Sequence, residues 1–303
     1  MDFEKIIKEL KQEDVGEILE FEPMYKHTTY KVGGPARGYI QVKDIPALKK
    51  IMNIIKRENC PYYVIGKGSN VLFSDKEFDG LILSLNEHFT TYKIEDNKLI
   101  VDAGVSVIKM ATLASNHALS GLEFISGIPA NVGGVVYMNA GAYKSEVADV
   151  LESVLVLNDQ GEVETLTKEQ CEFAYRKSFF QKHADFIILQ ATFTLQPGSK
   201  EEIKELMKKR RLRRQETQPI DKPSAGSVFR NPDEHPAWKY IDDCGLRGYT
   251  IGHACFSKKH SNFIVNKGYA SAQDIKSLIE YAQDCVYEKY QVKLHTEVRF
   301  MNW

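Results

Sequence analysis

Two glycine-rich segments in the first half of the chain are suited to binding phosphate groups. The first, Gly66 to Asn70, reads Gly-Lys-Gly-Ser-Asn and follows a strand-like run. Glycine lets backbone N–H groups in a tight turn approach an anion closely, and Lys67 adds a positive charge. The second runs from Gly121 to Tyr143 and is punctuated by glycines and by the amides of Asn131 and Asn139. Together the two loops could clasp a pyrophosphate from two sides.

These loops match neither of two common nucleotide-binding patterns. A Rossmann site needs G-x-G-x-x-G opening a helix and an acidic residue about 20 residues later. Here Gly66 and Gly68 are followed by the strand-like run that starts at Val71, and the P-loop pattern G-x-x-x-x-G-K-[ST] does not occur. Glycines can also simply form turns. The occurrence of two Gly/Asn-rich loops therefore favours a dinucleotide site of another class over two idle turns.

The histidines and cysteines do not indicate a metal site. His253, Cys255 and His260 fit no closed zinc spacing, and a fourth ligand is not evident. The chain has five cysteines, an odd number, and no CxxC. We therefore expect no metal, reduced thiols and a cytoplasmic protein.

The elements that must position these loops alternate between helical and strand-like periods, which predicts an α+β protein. An alternation over residues 292–300 predicts a final strand, and Asp159-Gln160-Gly161 predicts a hairpin between residues 151–157 and 162–166. Helices are predicted at 2–20, after Asp44, at 106–119, at 200–216, near 236–244 and after a capping box of Ser271 and Asp274.

Length and composition bound the possible partners. The chain has 303 residues, with 43% hydrophobic and 27% charged residues, which is typical of a globular protein of two or three lobes. Its net charge is −1, so we expect no general attraction to nucleic acid or membrane surfaces. The N-terminus lacks the apolar core of a signal peptide, and no run of about 20 apolar residues occurs.

Seven motifs give the chain a specific resemblance. They are HTTYKVGGPA, VIGKGSNVLFSD, LEFISGIPANVGGVVYMNAGAY, YRKSFF, PSAGSVFRNP, SKKHSNFIVN and LHTEVRF, in that order. Over roughly residues 25–300 the sequence resembles the UDP-N-acetylenolpyruvoylglucosamine reductases. The earlier motifs are shared with other FAD enzymes of the vanillyl-alcohol oxidase/p-cresol methylhydroxylase fold, and the last three are much more specific.

The resemblance implies FAD as a non-covalent cofactor and NADPH as co-substrate. It implies an FAD-binding region over residues 1–199, with lobes of about 1–75 and 76–199, and a substrate-binding domain over residues 200–303 whose last strand returns to the active site. Pro197-Gly198 marks the boundary. The implied FAD contacts are Gly66, Lys67, Gly68, Ser69, Asn70, Ser126, Gly127, Ile128, Pro129, Asn131, Gly133, Gly134, Asn139, Gly141 and Arg299.

The implied reaction reduces an enolpyruvyl ether on UDP-N-acetylglucosamine to the lactyl ether of UDP-N-acetylmuramate, in peptidoglycan precursor synthesis. Flavin N5 gives hydride to the β-carbon, and negative charge spreads from the α-carbon into the carboxylate. Arg176 matches the family residue that grips the carboxylate. Ser227 matches the proton donor to the α-carbon, and Glu297 is expected to have a raised pKa and to donate a hydrogen bond as a neutral acid.

The substrate diphosphate calls for cations, and the run Lys208 to Arg214 is the only dense basic cluster. Arg211 and Arg214 share a helical face at i, i+3. Asn231, which follows the serine loop, is a further candidate for phosphate contact, and Tyr175, Lys222 and His260 are weaker candidates for substrate contact. The working expectation is a monomer.

The sequence departs from the family pattern at three positions. Ala130, Lys144 and His253 stand where glycine is usual. A methyl group at residue 130 fits only if the backbone φ is negative. The short connection between Tyr175 and Ser227 resembles the compact sub-type of the family, which lacks an extra tyrosine loop.

Two rival functions remain open at this point. One is an oxidase of the same fold, which would need a base where this sequence offers an arginine and a proton donor. The other is a non-enzymatic nucleotide-binding protein whose contact surface is the basic helix. Flavin absorbance separates the second rival from an FAD enzyme, and anaerobic titration separates the first.

Overall fold

The computed structural model describes residues 2–303, and its mixture of helices and sheets confirms the α+β class. The helices are α1 (Phe3–Gln12), α2 (Ile45–Glu58), α3 (Val107–Asn116), α4 (Val132–Tyr137), α5 (Lys200–Thr217), α6 (Ala237–Asp243) and α7 (Ala272–Tyr290). The strands are β1 (Gly16–Pro23), β2 (Pro35–Val42), β3 (Tyr62–Ile65), β4 (Val71–Phe73), β5 (Phe78–Ser84), β6 (Tyr92–Glu95), β7 (Lys98–Asp102), β8 (Leu119–Ser120), β9 (Gly141–Ala142), β10 (Ser145–Glu146), β11 (Leu151–Leu157), β12 (Val163–Thr167), β13 (Ile187–Thr194), β14 (Gln196–Pro197), β15 (Thr250–Ile251), β16 (Ala254–Phe256), β17 (Ile264–Asn266) and β18 (Arg299–Met301).

The chain divides into two compact units that do not follow chain order. Unit 1 contains the N-terminal residues through Phe21, Arg37–Lys67 and Asp79–Leu212. Unit 2 contains Glu22–Ala36, Gly68–Phe78 and Arg213–Trp303. These units are defined by compactness and not by function. The predicted division into an FAD-binding region over residues 1–199 and a substrate-binding domain over residues 200–303 stays a prediction.

Unit 1 is built around two larger sheets. One has the strand order β1-β2-β5-β3 and the other β12-β11-β13-β7-β6. The helix predicted after Asp44 is confirmed as α2, because the Asp44 carboxylate accepts from Ala47 N–H at 2.8 Å. The apolar face of α2 is buried in the unit 1 core, with Leu48 and Ile51 fully inaccessible to solvent.

The predicted hairpin is confirmed as β11 and β12, which pair antiparallel from Ser153↔Thr167 to Leu157↔Val163. Its turn contains Gly161 at φ +78°. The Asn158 side chain accepts from the backbone N–H groups of Gln160 and Glu162, at 3.0 and 2.9 Å. Turn chemistry and the strand pattern therefore agree along this stretch.

Unit 2 has its own core, formed by α6, α7 and the sheet β15-β16-β17. The capping box predicted for α7 is confirmed, since Ser271 Oγ accepts from Asp274 N–H at 3.0 Å and the Asp274 carboxylate accepts from Ser271 N–H at 3.1 Å. β18 pairs in parallel with β4, with Arg299 opposite Val71. This pairing fixes the C-terminal segment beside Gly68–Phe78.

The prediction of one helix over residues 2–20 is wrong. The helix ends at Gln12, and β1 begins at Gly16. Gly16 has φ +125°, and a Cβ at this residue would overlap the backbone oxygen of Gln41. The chain therefore passes close to the end of β2 and continues as a strand, which helical periodicity in α1 does not reveal.

The final strand is also shorter than predicted. Only Arg299–Met301 is a strand, although Leu294 and Val298 are buried as the alternation requires. Residues 292–298 lie outside the regular strands, and an isolated bridge joins Thr296 to Phe229. The alternation agrees with burial at Leu294 and Val298 but does not predict hydrogen-bond pairing.

Three further structural findings concern residues 2–303. No helix there is both long and apolar enough to span a bilayer. No group of three or more His, Cys, Asp or Glu side chains in that range is arranged to hold a metal ion. The five cysteines are free thiols.

Candidate active site

Arg176 lies at the corner of a tight turn in unit 1. Lys177 N–H donates to Ala174 O at 2.9 Å, and Ala174 N–H donates to Lys177 O at 3.2 Å, so Tyr175 and Arg176 are the corner residues. Arg176 has φ +55°. This left-handed conformation costs a non-glycine residue about 1–2 kcal/mol.

Backbone carbonyl groups and an aromatic ring orient the Arg176 guanidinium. Its Nη2 donates to Gly141 O at 2.8 Å, and its Nη1 makes a longer contact of 3.5 Å with Asn139 O. The guanidinium carbon lies 4.9 Å from the Tyr175 ring centroid, which is within the cation–π range. Carbonyl groups carry no net charge, so these particular contacts orient the cation without neutralising it.

Asn139 and Gly141, predicted to contact the cofactor, both belong to the surroundings of the Arg176 turn. Asn139 is fully buried; its Nδ2 donates to Ala174 O at 3.1 Å and its Oδ1 accepts from Ala148 N–H at 3.0 Å. A Cβ at Gly141 would lie 3.2 Å from Arg176 Nη1 and 2.6 Å from Ser145 O. The Asn139 amide thus bonds backbone groups next to the Arg176 turn, and its cofactor contact stays a prediction.

Within unit 2 the structure brings Ser227 and Glu297 to neighbouring positions. Ser227 precedes Val228, whose carbonyl oxygen accepts from Glu297 N–H at 2.8 Å. Two residues further along, Arg230 N–H donates to His295 O at 2.9 Å. Both Ser227 and Glu297 are half-buried. Two motifs separated by about 70 residues of sequence therefore form one local arrangement.

Asn262 holds this arrangement and was missed by sequence reasoning. Its Oδ1 accepts from Phe229 N–H at 3.0 Å, its Nδ2 donates to Phe229 O at 2.9 Å, and its backbone oxygen accepts from Val228 N–H at 2.8 Å. The side chain is 3% exposed. The available signal was the asparagine in the SKKHSNFIVN motif.

The second half of the first glycine loop contacts the same region of unit 2. Asn70 Nδ2 donates to Glu297 O at 3.1 Å, and Arg299 N–H donates to Asn70 O at 3.0 Å. Gly68 has φ +59°, and a Cβ there would overlap His27 O. Only glycine fits this position. Of the predicted cofactor residues, Asn70 and Arg299 therefore adjoin the candidate catalytic Glu297, and Ser69 lies between Gly68 and Asn70.

In unit 1 the residues around Gly66 fit a polar ligand such as FAD. Asn131 is 3% exposed, and its Oδ1 has no hydrogen-bond partner among residues 2–303. A Cβ built on Gly66 would lie 3.7 Å from that oxygen. A Cβ on Gly134 would meet nothing within 4 Å. The unpaired Asn131 oxygen next to Gly66 can therefore accept a hydrogen bond from an O–H or N–H group of a dinucleotide. Lys67, the residue after Gly66, is exposed.

Hydrogen bonds to other residues of unit 1 hold both ends of the loop from Ser126 to Gly133. Val132 N–H donates to Val105 O and Gly133 N–H to Ala103 O, both at 2.9 Å. Ser126 Oγ donates to Glu123 O at 2.9 Å. Backbone groups of this loop are therefore partly used by the protein. The loop residues predicted for FAD between these ends are Gly127, Ile128, Pro129 and Asn131.

Arg211 lines a cavity of about 260 Å³ between α3 and α5, which Ser126 also lines. The structure therefore places one predicted substrate residue near one predicted cofactor residue. Lys204 and Lys208 lie on the same face of α5. Arg214 is half-buried and lies in the part of α5 that belongs to unit 2.

The remaining substrate candidates have mixed support. Tyr175 is exposed beside Arg176, and Lys222 is exposed in its loop. Asn231 Oδ1 accepts from Ala237 N–H at 3.1 Å, so this side chain caps α6. Burial, reinforced by the nearby Arg247 charge, lowers the pKa of His260 below 6.5. A neutral His260 can serve a substrate by hydrogen bonding but not as a cation, and its Nδ1 has no partner among the described residues.

The three departures from glycine have different structural outcomes. Ala130 and His253 do not have positive φ, so their side chains carry no such strain. Lys144 has φ +64° and Tyr143 has φ +57°, as the two corner residues of the β9–β10 hairpin. A hairpin with two positive φ angles normally takes Asn-Gly or Gly-Gly. Lys144 is therefore the departure with an energetic cost.

Comparisons with known proteins define the class first. An FAD-binding-domain model matches residues 36–167. The solved structure of Phl p 4.0202, a glucose dehydrogenase, has a TM-score of 0.50 at 14% identity, covering 65% of this chain and 44% of that one, and shows likeness of fold alone. The chain is an FAD-dependent oxidoreductase with the FAD-binding fold of the vanillyl-alcohol oxidase/p-cresol methylhydroxylase type.

The family follows from matches over the whole chain. The model described as UDP-N-acetylenolpyruvoylglucosamine reductase, C-terminal domain, matches residues 218–301. Reductases so named are 45% identical in Bacillus cereus and 44% identical in Anoxybacillus flavithermus, each over 98% of this chain and 99% of the relative. The Thermus caldophilus enzyme structure has a TM-score of 0.79 at 35% identity, covering 94% of this chain and 98% of that one. This chain belongs to the UDP-N-acetylenolpyruvoylglucosamine reductases, a family of peptidoglycan precursor enzymes.

Proposed function

We propose that this enzyme uses NADPH to reduce UDP-N-acetylglucosamine enolpyruvate to UDP-N-acetylmuramate, with FAD as the hydride carrier. Family membership supports the overall reaction. The observation that carries the residue-level proposal is the Arg176 turn, in which a strained backbone and two carbonyl contacts fix one guanidinium. Bound FAD supplies the chemistry of accepting hydride from NADPH and giving it to the enolpyruvyl β-carbon.

Arg176 binds the substrate carboxylate in this proposal. Hydride addition at the β-carbon leaves negative charge that spreads from the α-carbon into the carboxylate. A guanidinium stays charged at any working pH and bonds both carboxylate oxygens. Its attraction increases as the enolate forms, so it lowers the barrier rather than merely tightening binding.

Ser227 gives the proton to the α-carbon, and Glu297 supports the same charge. A serine hydroxyl is a weak acid, so it serves only because an enolate carbon is strongly basic and a neighbouring group restores the proton. The hydrogen bonds from Asn262 and the link from Glu297 N–H to Val228 O favour a fixed Ser227 backbone. The proposed role of Glu297 is a hydrogen bond at the substrate carboxylate.

The binding residues divide between FAD and the UDP-sugar. We assign FAD to residues 1–199, with Gly66 and Asn131 as the best-supported contacts, and Arg299 from the C-terminal strand. We assign the substrate to residues 200–303, with Tyr175 from the Arg176 turn as an added contact. Candidate diphosphate contacts are Arg211, Arg214, Asn231 and His260.

The enzyme is proposed to act in the cytoplasm, because NADPH and UDP-linked sugars are both intracellular metabolites. It is also proposed to act as a monomer. Mass measured by light scattering at micromolar protein tests the oligomeric state. A mass near 34.5 kDa, the mass of one chain, agrees with a monomer, and twice that value contradicts it.

Anaerobic titration of the purified holoenzyme tests the function. NADPH should bleach the flavin absorbance, and the enolpyruvyl sugar nucleotide should restore it with formation of one UDP-N-acetylmuramate per flavin. A flavin that is reoxidised rapidly by oxygen but not by the enolpyruvyl compound would instead indicate an oxidase. A colourless protein after mild purification would contradict the cofactor assignment.

A further inference from the structure

The Arg176 turn needs support from outside its four residues. Arg176 holds φ +55° at the third position of the turn, where glycine or asparagine is usual. Without restraint, an arginine at this position favours conformations with negative φ. Such a change would rotate the peptide groups of the turn and carry the guanidinium away from Gly141 O and Asn139 O.

Gln181 supplies that restraint through its side-chain amide. Besides a longer contact of 3.7 Å with Met138 Sδ, its Nε2 donates to two backbone carbonyls, Arg176 O at 3.1 Å and Tyr137 O at 3.0 Å. One of these is the carbonyl of Arg176 itself. The amide therefore ties the strained residue to the C-terminal end of α4, which includes Tyr137.

The position of Gln181 is itself fixed. Gln181 ends a short 3₁₀ helix, Phe179–Gln181, whose Phe180 is 1% exposed in the unit 1 core. Phe179 stacks on His183 with ring centroids 4.0 Å apart. Ser178 Oγ donates to the same Tyr137 carbonyl at 2.6 Å. The 3₁₀ helix thus fixes the position of Gln181, and the Gln181 amide bonds the carbonyl of Arg176 in the strained turn.

We propose that Gln181 is a positioning residue for substrate reduction: its amide holds the Arg176 turn in the left-handed conformation that presents the guanidinium to the substrate carboxylate. This inference rests on the proposed role of Arg176. Gln181 touches neither FAD nor substrate in the proposal and acts only through Arg176.

Two substitutions separate this role from general stability. Gln181→Met keeps the length and removes the donor; Gln181→Glu keeps the shape and replaces the donor with a carboxylate. Gln190→Met is the matched control, because Gln190 is also half-buried in unit 1 and its Nε2 donates to Asp102, away from the turn. All variants are studied as FAD-loaded holoenzyme.

Gln181→Met should slow reoxidation of the reduced enzyme by the enolpyruvyl sugar nucleotide about fivefold, the effect expected from loss of the hydrogen bond to Arg176 O. Flavin reduction by NADPH should stay within about twofold, since it does not need a carboxylate clamp. Amide hydrogen exchange in residues 174–178 should accelerate in Gln181→Met and stay unchanged in Gln190→Met. That second readout does not depend on turnover.

The pH dependence of Gln181→Glu adds a signature that a purely structural role would not give. An ionised carboxyl cannot donate to Arg176 O, whereas a protonated one can. The reoxidation defect of this variant should therefore shrink as the pH is lowered toward about 5. The Gln181→Met defect should not change with pH in the same way.

A double-mutant cycle with Arg176→Ala decides the matter. Gln181→Met should add less than about twofold to the defect of Arg176→Ala, because the guanidinium that Gln181 positions is gone. An equal effect of Gln181→Met with and without Arg176, or equal losses in both half-reactions, would overturn the proposal. If Arg176→Ala alone reoxidises at the wild-type rate, the proposed function fails instead, so the two failures are distinguishable.

Discussion

Replacing Asn262 with alanine should destabilise the protein more than loss of an ordinary asparagine. The substitution leaves the N–H and C=O of Phe229 without their side-chain partners, at 3.0 and 2.9 Å in the native structure. Each buried polar group left unpaired costs about 1–3 kcal/mol. Two such groups lower the free energy of unfolding by about 2–6 kcal/mol. Water that enters the space and bonds these groups reduces this loss.

Thermal unfolding followed by flavin release and by circular dichroism measures this loss. For a chain of this size a change of 1 kcal/mol moves Tm by about 2 °C, so the melting temperature should fall by about 4–12 °C. The matched control is Asn97→Ala, since Asn97 Nδ2 makes one bond, to Leu195 O at 3.0 Å. That control should lower Tm by only about 2 °C.

The same variant should affect catalysis selectively. Since Asn262 holds the segment that carries Ser227, the surviving folded Asn262→Ala enzyme should reduce its flavin normally and reoxidise it slowly with the enolpyruvyl substrate. If Asn262→Ala melts no lower than Asn97→Ala and reoxidises at the wild-type rate, Asn262 does not organise the Ser227 segment and the reasoning is refuted.

The remaining predictions concern strain and acid stability. Lys144→Gly should stabilise the protein by about 0.5–1 kcal/mol, because glycine accepts the φ of +64° without steric cost. Lys182→Gly, at φ −99°, should destabilise it by a similar amount, and a Tm that moves the same way in both variants would contradict the strain argument. The pKa of His260 is lowered on folding by burial, so its contribution to stability is complete above about pH 6.5 and is lost as the pH falls through the folded value. Urea unfolding between pH 7 and 5 should therefore show a smaller acid loss in His260→Gln than in wild type; parallel pH curves would exclude this contribution.

Local signals in the sequence predicted much of the fold. The Asp44 cap, the Ser271/Asp274 capping box and the turn at Gly161 each depend on residues within a few positions, and all three are confirmed. The end of α1 was not predicted, because it depends on the approach of Gly16 to Gln41. The final strand was predicted but too long, because its pairing with Val71–Phe73 depends on residues more than 200 positions away.

The candidate site shows the same limit in a different form. Arg176, Ser227 and Glu297 stand out through motif resemblance, and no local pattern distinguishes them from surface residues. The contacts of Asn262 with Phe229 and of Gln181 with Arg176 were not predicted, because each joins a side chain to backbone atoms that no local sequence pattern specifies. Asn139 shows how burial adds to a motif: its motif predicts a cofactor contact, and its side chain also makes two backbone hydrogen bonds beside the Arg176 turn.

The two half-reactions of Ser227→Ala test the central claim most directly. Stopped-flow absorbance of the anaerobic holoenzyme follows flavin reduction by NADPH and then reoxidation by the enolpyruvyl sugar nucleotide. If Ser227 is the proton donor, reduction proceeds at the wild-type rate and reoxidation falls by about 100-fold or more. Equal slowing of both steps, or reoxidation at the wild-type rate, would contradict the assignment of proton transfer to Ser227.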